Sequence, residues 1–320
     1  MTTPWTALTL PRSATPEATL LPLPGLTVLS LAGPDSVKFL QGQTTTDFRD
    51  VAQGHVLPGA ICSLKGRVLF SFIAVPRGED VDLVLPADQV EAALAHLGKY
   101  AVFSKTRLED ASQRLALLGL TGVRSMEALD RLGLAAPTAG SVSVRDDGAW
   151  ATPIVGKERY LVALPADSLT AAWSTLTSEF TGGIESQWWA ADIAAGFATV
   201  FASSRDQFQP QELNYPSLGA VSYNKGCYTG QEVVARLYFR GKLKQRLYRL
   251  DAAMAGEGPV MTGDAAVGDV VMTAPDGERI AMLAVVKNAA VKAGGLRWGA
   301  SGPDLAVKDL PYDLPSDKEE

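Results

Sequence analysis

The sequence predicts a mixed α+β protein with two similar α/β modules and a C-terminal all-β module. Three observations support this class: strand and helix signals are mixed with frequent hairpins, one strand–helix unit occurs twice, and helical periodicity is absent after Leu243. A chain of 320 residues is long enough for two or three domains. We expect the α/β modules at 1–110 and 111–200, a connecting segment at 201–243, the β module at 244–312 and an acidic tail at 313–320.

The first module contains the first copy of the repeated unit. A helix is expected to start near Pro34 and run towards Gln41, and Val68–Val75 has the pattern of a strand that ends in a turn at 77–80. The next strand ends in Leu-Pro-Ala-Asp at 85–88, after which apolar residues recur at helical spacing. This order of strand, proline break and helix defines the unit.

The unit returns in the second module, where Leu-Pro-Ala-Asp recurs at 164–167 between a strand and an amphipathic helix. A duplication of one α/β module explains both copies. After Leu243, short apolar runs are separated by Gly, Pro and Asp, which is typical of a small antiparallel barrel. Its strands are expected at 246–251, 268–273, 280–287 and 304–310.

Composition excludes fibrous, collagen-like, wholly disordered and membrane-spanning proteins. Apolar residues make up 47% and charged residues 20%, and no apolar run reaches the ~18 residues that a membrane helix needs. Two cysteines, Cys62 and Cys227, cannot form a disulfide framework, which predicts a cytoplasmic protein. Two histidines and two cysteines do not supply the roughly four ligands of a zinc or iron–sulfur site, so no intrinsic metal is expected.

The formal net charge is −6, yet one stretch from Arg236 to Arg249 is basic and contains no acidic residue. Two interpretations stay open for this stretch. It is a solvated strand and loop, or it is an anion site for a carboxylate-rich ligand or nucleic acid.

The segment Asn224–Arg236 carries the most specific chemistry. Cys227 follows Lys225 by two residues and precedes a helix that is expected to open near Gly230. A helix N-terminus and a neighbouring lysine both favour the thiolate form of a cysteine. A buried and inert cysteine is the alternative interpretation.

Four motifs along the chain are recognisable together. Residues 225–232 read KGCYTGQE, residues 209–214 read QPQELN, residues 39–47 read FLQGQTTTD and residues 62–67 read CSLKGR. The first resembles the K-G-C-[YF]-x-G-Q-E signature of the YgfZ family of folate-binding proteins, and the second resembles the segment that precedes it. The third and fourth resemble the family's F-L-Q-G-Q-x-T-x-D and C-x-x-K-G-R motifs, so the resemblance spans nearly the whole chain.

This resemblance implies a fold like that of the glycine-cleavage T protein, a folate-dependent aminomethyltransferase. Such a fold has two ferredoxin-like modules and a C-terminal antiparallel barrel around a central tetrahydrofolate site, on which segment 201–243 would pack. The resemblance also implies a role in assembling or repairing iron–sulfur clusters, including those of enzymes that modify tRNA. Folate and iron–sulfur client or assembly proteins are the expected partners, whereas contact with a membrane or directly with nucleic acid is not expected.

Four positions depart from the T protein. Its acidic pair corresponds to Phe70 and Ser71, and the Glu that holds the pterin ring corresponds to Ala194. An arginine of the same segment corresponds to Asp192. Because a general acid or base cannot act where the carboxylate is absent, aminomethyl transfer is disfavoured.

We therefore predict a folate-dependent accessory protein in which Cys227 is the functional thiol. Lys225 and the helix start would tune this thiol, and the loop 65–67 would face it. Arg240 is the candidate partner of the glutamate carboxylates of folate, since Arg commonly binds such groups. The predicted cofactor-binding residues are Asp47, Lys65, Arg67, Lys225, Gly226, Tyr228, Gly230, Gln231, Glu232 and Arg240.

Two alternative functions remain open. The first is a folate-dependent one-carbon transferase or demethylase that uses Cys227 as nucleophile and an acid such as Asp47. The second is an RNA-binding protein in which Tyr238, Phe239 and Tyr248 stack on bases beside the basic stretch.

Overall fold

The computed structural model describes residues 4–7 and 18–314. Most of the predicted acidic tail, residues 315–320, lies outside the described part. The strands are β1 (Thr19–Pro22), β2 (Leu26–Ala32), β3 (Leu57–Cys62), β4 (Val68–Arg77), β5 (Asp80–Pro86), β6 (Arg107–Asp110), β7 (Leu115–Thr121), β8 (Ser143–Val144), β9 (Trp150–Pro153), β10 (Arg159–Pro165), β11 (Thr181–Gly182), β12 (Gln245–Ala252), β13 (Val260–Thr262), β14 (Ala265–Asp276), β15 (Arg279–Lys287), β16 (Leu296–Trp298) and β17 (Leu305–Lys308). The α-helices are α1 (Ser36–Gln43), α2 (Phe48–Ala52), α3 (Val90–Ala101), α4 (Ser125–Arg131), α5 (Ala166–Thr177), α6 (Glu185–Ala194), α7 (Gln231–Arg240) and α8 (Asn288–Ala293).

The described strands form three sheets, and four consecutive strands of the first two sheets follow the same order. The first sheet runs β3-β4-β5-β2-β6, and the second runs β8-β9-β10-β7-β1-β11. The repeated unit is therefore confirmed: β5 and β10 occupy equivalent places, and Pro86 and Pro165 end them with the same backbone angles, φ −56° with ψ 136° and 135°. Each proline precedes the helix that covers its sheet, α3 in the first and α5 in the second. The mixed α+β class is confirmed, while the ferredoxin-like character of the modules stays a prediction.

The two sheets pack against each other through alternate residues of their strands. On β2, Leu29 and Leu31 face the core formed with α1–α3, whereas Val28 belongs to a second core shared with Leu21 and Leu117 of the other sheet. Successive side chains of a strand point to opposite faces, so β2 is apolar on both sides. The sheets thus enclose a common interior.

A buried carboxylate connects the two sheets. Asp82 on β5 accepts a hydrogen bond from Ser30 Oγ at 2.6 Å and one from Trp150 Nε1 at 2.9 Å. Trp150 belongs to β9 of the second sheet and is itself fully buried. Because a buried carboxylate needs hydrogen-bond partners, these contacts fix how the first sheet meets the second.

The C-terminal sheet runs β16-β13-β14-β15-β12-β17 and is antiparallel and curled into a half-barrel. Strands were expected at four places, and β12, β14, β15 and β17 confirm them. The three-residue strands β13 and β16 and the helix α8 were not predicted, because such short segments carry no readable period. Helix α6 packs between this sheet and the paired sheets, since Ile193 lies in one core and Trp188 in the other.

Candidate functional site

Cys227 lies on an exposed loop that the first module holds tightly. Helix α7 follows this loop, and Gly230 at its N-cap has φ +83°. A Cβ atom on Gly230 would lie 2.4 Å from the Ser63 carbonyl oxygen, and one on Gly66 would lie 2.7 Å from Val233 Cβ. Both glycines are therefore required for the 62–67 loop to contact the start of α7.

The motif at 39–47 holds the segment before Cys227 from the other side. Thr45 Oγ1 donates to the Ala220 carbonyl at 2.6 Å, and the backbone amide of Ser222 donates to the Thr45 carbonyl at 2.9 Å. Lys225 Nζ donates to the carbonyls of Thr44 and Thr46, each at 2.6 Å. The motifs at 39–47, 62–67 and 225–232, which are far apart in sequence, are thus brought together around one exposed thiol.

Asp47 in this cluster is an ion-pair partner. It accepts from Arg49 Nε at 2.9 Å and Nη2 at 2.5 Å, and Arg49 Nη2 also donates to the Asn224 carbonyl at 3.2 Å. Hydrogen bonding to Arg49 lowers the pKa of Asp47 to about 2 against the opposing effect of burial. Asp47 therefore stays ionised near neutral pH, which suits an anchor of the loop and does not suit a general acid.

The Lys225 amine is buried at the centre of this cluster, 5.1 Å from the centre of the Tyr228 ring. Burial lowers its pKa to about 7, although Asp47 opposes this change. Its Nζ atom binds the two carbonyls of the first module rather than lying free beside the thiol. The amine therefore titrates near neutral pH, at the contact that positions the Cys227 loop.

Replacing Lys225 by Met is expected to change how stability depends on pH. In the unfolded chain the lysine keeps its proton up to its ordinary pKa near 10.4, while the folded protein loses it near 7. Stability rises with pH wherever the unfolded state binds more protons, so the wild type should gain stability between those values, by at most about 1.4 kcal/mol per pH unit. The variant should lack this gain in urea unfolding across that range. Replacing the exposed Lys242 by Met is the matched control, and parallel profiles for wild type and Lys225→Met would contradict the assignment.

Cys62, the other cysteine, is buried and unreactive. Cys62 ends β3 in a core with Val68 and Val234, and its side chain is fully buried. Burial raises the pKa of the Cys62 thiol to about 12. Because the thiolate is the reactive form, Cys227 is the accessible nucleophile of the pair.

The remaining predicted residues fall into three groups. Tyr228 is buried and its amide donates to Gln231 Oε1 at 3.2 Å, so both shape the loop. By contrast, Arg240 lies at the far end of α7, on a groove that it shares with Arg236 and Leu237. Of the predicted cofactor-binding residues, Lys65, Arg67 and Glu232 are exposed in the cluster, and Gly226 is exposed beside Cys227.

A separate cavity of about 310 Å³, the central cavity, lies between the two paired sheets and α6. Its lining is largely apolar and includes Trp188 and Trp189 on α6 and Phe72 on β4. None of the residues predicted to bind a cofactor lines it, whereas Ser71 and Asp192, two of the departures from the T protein, do. The tryptophan pair was missed because an apolar residue in a helix indicates burial and does not by itself indicate a cavity.

Asp192 and Arg159 form a buried ion pair at the wall of this central cavity. Arg159 Nη2 donates to Asp192 Oδ1 at 2.8 Å, and the guanidinium carbon lies 4.4 Å from the Trp188 ring centre. Burial raises the pKa of Asp192, and the charge and hydrogen bond of Arg159 oppose this. Ala194, the position of the pterin-binding Glu in the T protein, is exposed and does not line the cavity.

Within residues 4–7 and 18–314, no group of three or more His, Cys, Asp or Glu side chains is arranged so that it could bind a metal ion.

None of the helices in the described ranges has the length and apolar character needed to span a membrane.

Comparison with known proteins finds relatives that align with most of this chain. The tRNA-modifying protein YgfZ of Serratia proteamaculans (strain 568) is 33% identical over 314 residues, which covers 94% of both chains. That of Yersinia enterocolitica is 31% identical over 329 residues, covering 99% of both, and that of Klebsiella pneumoniae (strain 342) is 35% identical over 242 residues, covering 74% of this chain and 73% of the relative. A scan against models of protein families finds none that matches.

The fold also has a solved counterpart. The glycine cleavage system aminomethyltransferase T from Bartonella henselae superposes with a TM-score of 0.73 at 17% identity, covering 92% of this chain and 86% of that one. At this level of identity the likeness establishes a shared fold. The relatives aligned over nearly the full length settle the family: the chain belongs to the YgfZ family.

Proposed function

We propose that this protein is a folate-binding accessory factor that supports the assembly or repair of iron–sulfur clusters, with Cys227 as its functional thiol. The client enzymes would include those that modify tRNA, in line with the name tRNA-modifying protein that the relatives carry. The observation that carries the proposal is an exposed thiol on a motif loop that is held by two other motifs of the chain, at 39–47 and 62–67. The protein would work in the cytoplasm.

The central cavity supports the folate part of the proposal. Its 310 Å³ lies near the lower end of the roughly 300–1,000 Å³ range of ligand pockets, which suits a ring system better than a whole folate. Two indoles and one carboxylate fit a flat heterocycle with hydrogen-bond donors. No Lys or Arg is among the described residues that line it, so the glutamate carboxylates of folate would stay in solvent.

The thiol supports the iron–sulfur part. A single cysteine cannot hold a cluster, which needs about four ligands. We infer that Cys227 makes a transient bond or contributes one ligand together with a partner or a small thiol. Its exposure and its fixed loop make it available for such sharing.

Two observations weigh against the one-carbon enzyme. The positions of the T protein's acidic pair hold Phe70, which is packed into the first core, and Ser71, whose Oγ accepts from the Val200 amide at 2.9 Å. The other candidate acid, Asp47, has its pKa lowered to about 2 by Arg49 and lies outside the cavity lining.

Tetrahydrofolate is expected to stabilise the full chain against thermal unfolding. A ligand present at 100 times its Kd stabilises the folded state by about 2.7 kcal/mol, which a thermal shift assay detects as a higher Tm. The control ligand is p-aminobenzoylglutamate, which lacks the pterin ring and should leave Tm unchanged. An unchanged Tm at millimolar tetrahydrofolate would remove folate from the proposal and leave the thiol alone.

A further inference from the structure

We propose that Asp192 is the residue of the central cavity that selects its ligand, by accepting hydrogen bonds from the amino-bearing edge of a pteridine ring. The proposal rests on the folate-binding function and names the side chain that recognises the ring. It also moves that role away from Ala194, the position that the T protein would suggest.

Asp192 is the one charged side chain among the described residues that line the cavity. It is 5% exposed, and it shares the wall with Trp188, Trp189 and Phe197. A carboxylate in such apolar surroundings is costly unless its charge is compensated and its oxygens are hydrogen-bonded. A ligand with donors would therefore bind most strongly at this point of the wall.

Arg159 supplies the charge compensation and leaves one carboxylate oxygen for the ligand. Among the described residues, Arg159 is the side chain that donates to Asp192, and the acceptor of its Nη2 is Oδ1. Its other terminal nitrogen donates to the Val155 carbonyl at 2.8 Å, and the guanidinium lies over Trp188. The arginine is thus fixed by several contacts, and Oδ2 receives no hydrogen bond from the described residues.

The geometry of α6 explains why Asp192 and not position 194 faces the ligand. Trp188 and Asp192 are four residues apart and lie on one face of the helix, and both line the cavity. Ala194 lies about 200° further around the helix and is exposed. A longer side chain at 194 would point away from the cavity.

The chemistry predicts which ring is preferred. The 2-amino-4-oxopteridine edge presents an amino group and can present an adjacent N–H, and either can donate to the free Oδ2 in a charge-assisted hydrogen bond. In lumazine, the 2,4-dioxo analogue, a carbonyl oxygen replaces the amino group and would face the carboxylate as a second acceptor. Pterin should therefore bind more tightly than lumazine.

The test measures pterin and lumazine binding to the full chain by calorimetric titration. We expect the wild type to prefer pterin by about tenfold or more, the size of one hydrogen bond to a charged group. Asp192→Asn should lose or reverse this preference, because the amide donates where the carboxylate only accepts. A merely structural role for Asp192 would change both affinities together and keep their ratio.

The matched control is Ala194→Glu, which restores the acid of the T protein on the same helix and should leave the ratio unchanged. If Asp192→Asn does not fold, the ratio of pterin to lumazine affinity in the wild type still tests the proposal, since equal binding of the two ligands overturns it. A rise in pterin affinity in Ala194→Glu also overturns it. When tetrahydrofolate binds but the ratio is near one, the inference fails and the proposed function stands; when tetrahydrofolate does not bind, the proposed folate function itself fails.

Discussion

Replacing Cys227 by Ala is expected to abolish the ability of the protein to restore iron–sulfur enzyme activity in cells that lack it. The side chain is exposed, so its removal should change the free energy of unfolding by no more than about 0.5 kcal/mol. Loss of function without loss of stability would assign the chemistry to the thiol. The measurement pairs a cellular rescue assay with thermal unfolding of the purified variant.

Cys62→Ala is the matched control, because it removes the other cysteine from the same molecule. It should retain most of the rescue, at a stability cost of about 1 kcal/mol for the small cavity left in the core. Alkylation at neutral pH should modify Cys227 and leave Cys62 unreacted, since the Cys62 thiol is buried and has a pKa of about 12. Full rescue by Cys227→Ala would move the function to the folate cavity alone.

Gly230→Ala should destabilise the protein by about 2–5 kcal/mol. An alanine at φ +83° costs about 1–2 kcal/mol, and its Cβ would meet the Ser63 carbonyl oxygen at 2.4 Å, an overlap that adds about 1–3 kcal/mol. The contact involves backbone, so neither loop can yield by rotating a side chain. Chemical unfolding should report the loss, and rescue by the variant should fall as the two loops separate.

Gly226→Ala tests whether this effect is local to the contact. Gly226 belongs to the same signature, is exposed, and has no heavy atom within 4 Å of a Cβ built on it. Its replacement should change stability by no more than about 0.5 kcal/mol. Equal losses in the two variants would show that the close approach at Gly230 is not what holds the loop.

The parts of the fold that sequence could predict are those with local signals. The repeated strand, proline and helix were readable because apolar spacing changes at Pro86 and Pro165, and the structure gives both prolines one conformation. The loop around Cys227 was readable because Gly, Lys and helix-start residues occur within a few positions. In both cases the physical determinants lie close together in the chain.

The central cavity could not be predicted because its determinants are distant in sequence. The Arg159–Asp192 pair is separated by 33 residues, and the Asp82–Trp150 contact that sets the two sheets together is separated by 68. In the sequence, Asp192 stands out only as a departure from a family pattern. Nothing in the neighbouring residues indicates that it forms an ion pair with Arg159. Lys225 is similar: it was expected to act on its neighbour Cys227, but its amine is bonded to Thr44 and Thr46.

The placement of β1 has a consequence for how the chain can be divided. This N-terminal strand lies in the second sheet, where Thr19 pairs with Thr121 on one side and with Thr181 on the other. A fragment that begins at residue 111 would lack it and would expose the open edge of β7, a template for aggregation. During synthesis the first strand must wait until β7 and then β11 have been made, so closing this sheet is a slow, long-range step. We therefore expect the second module to fold only when residues 19–22 are present.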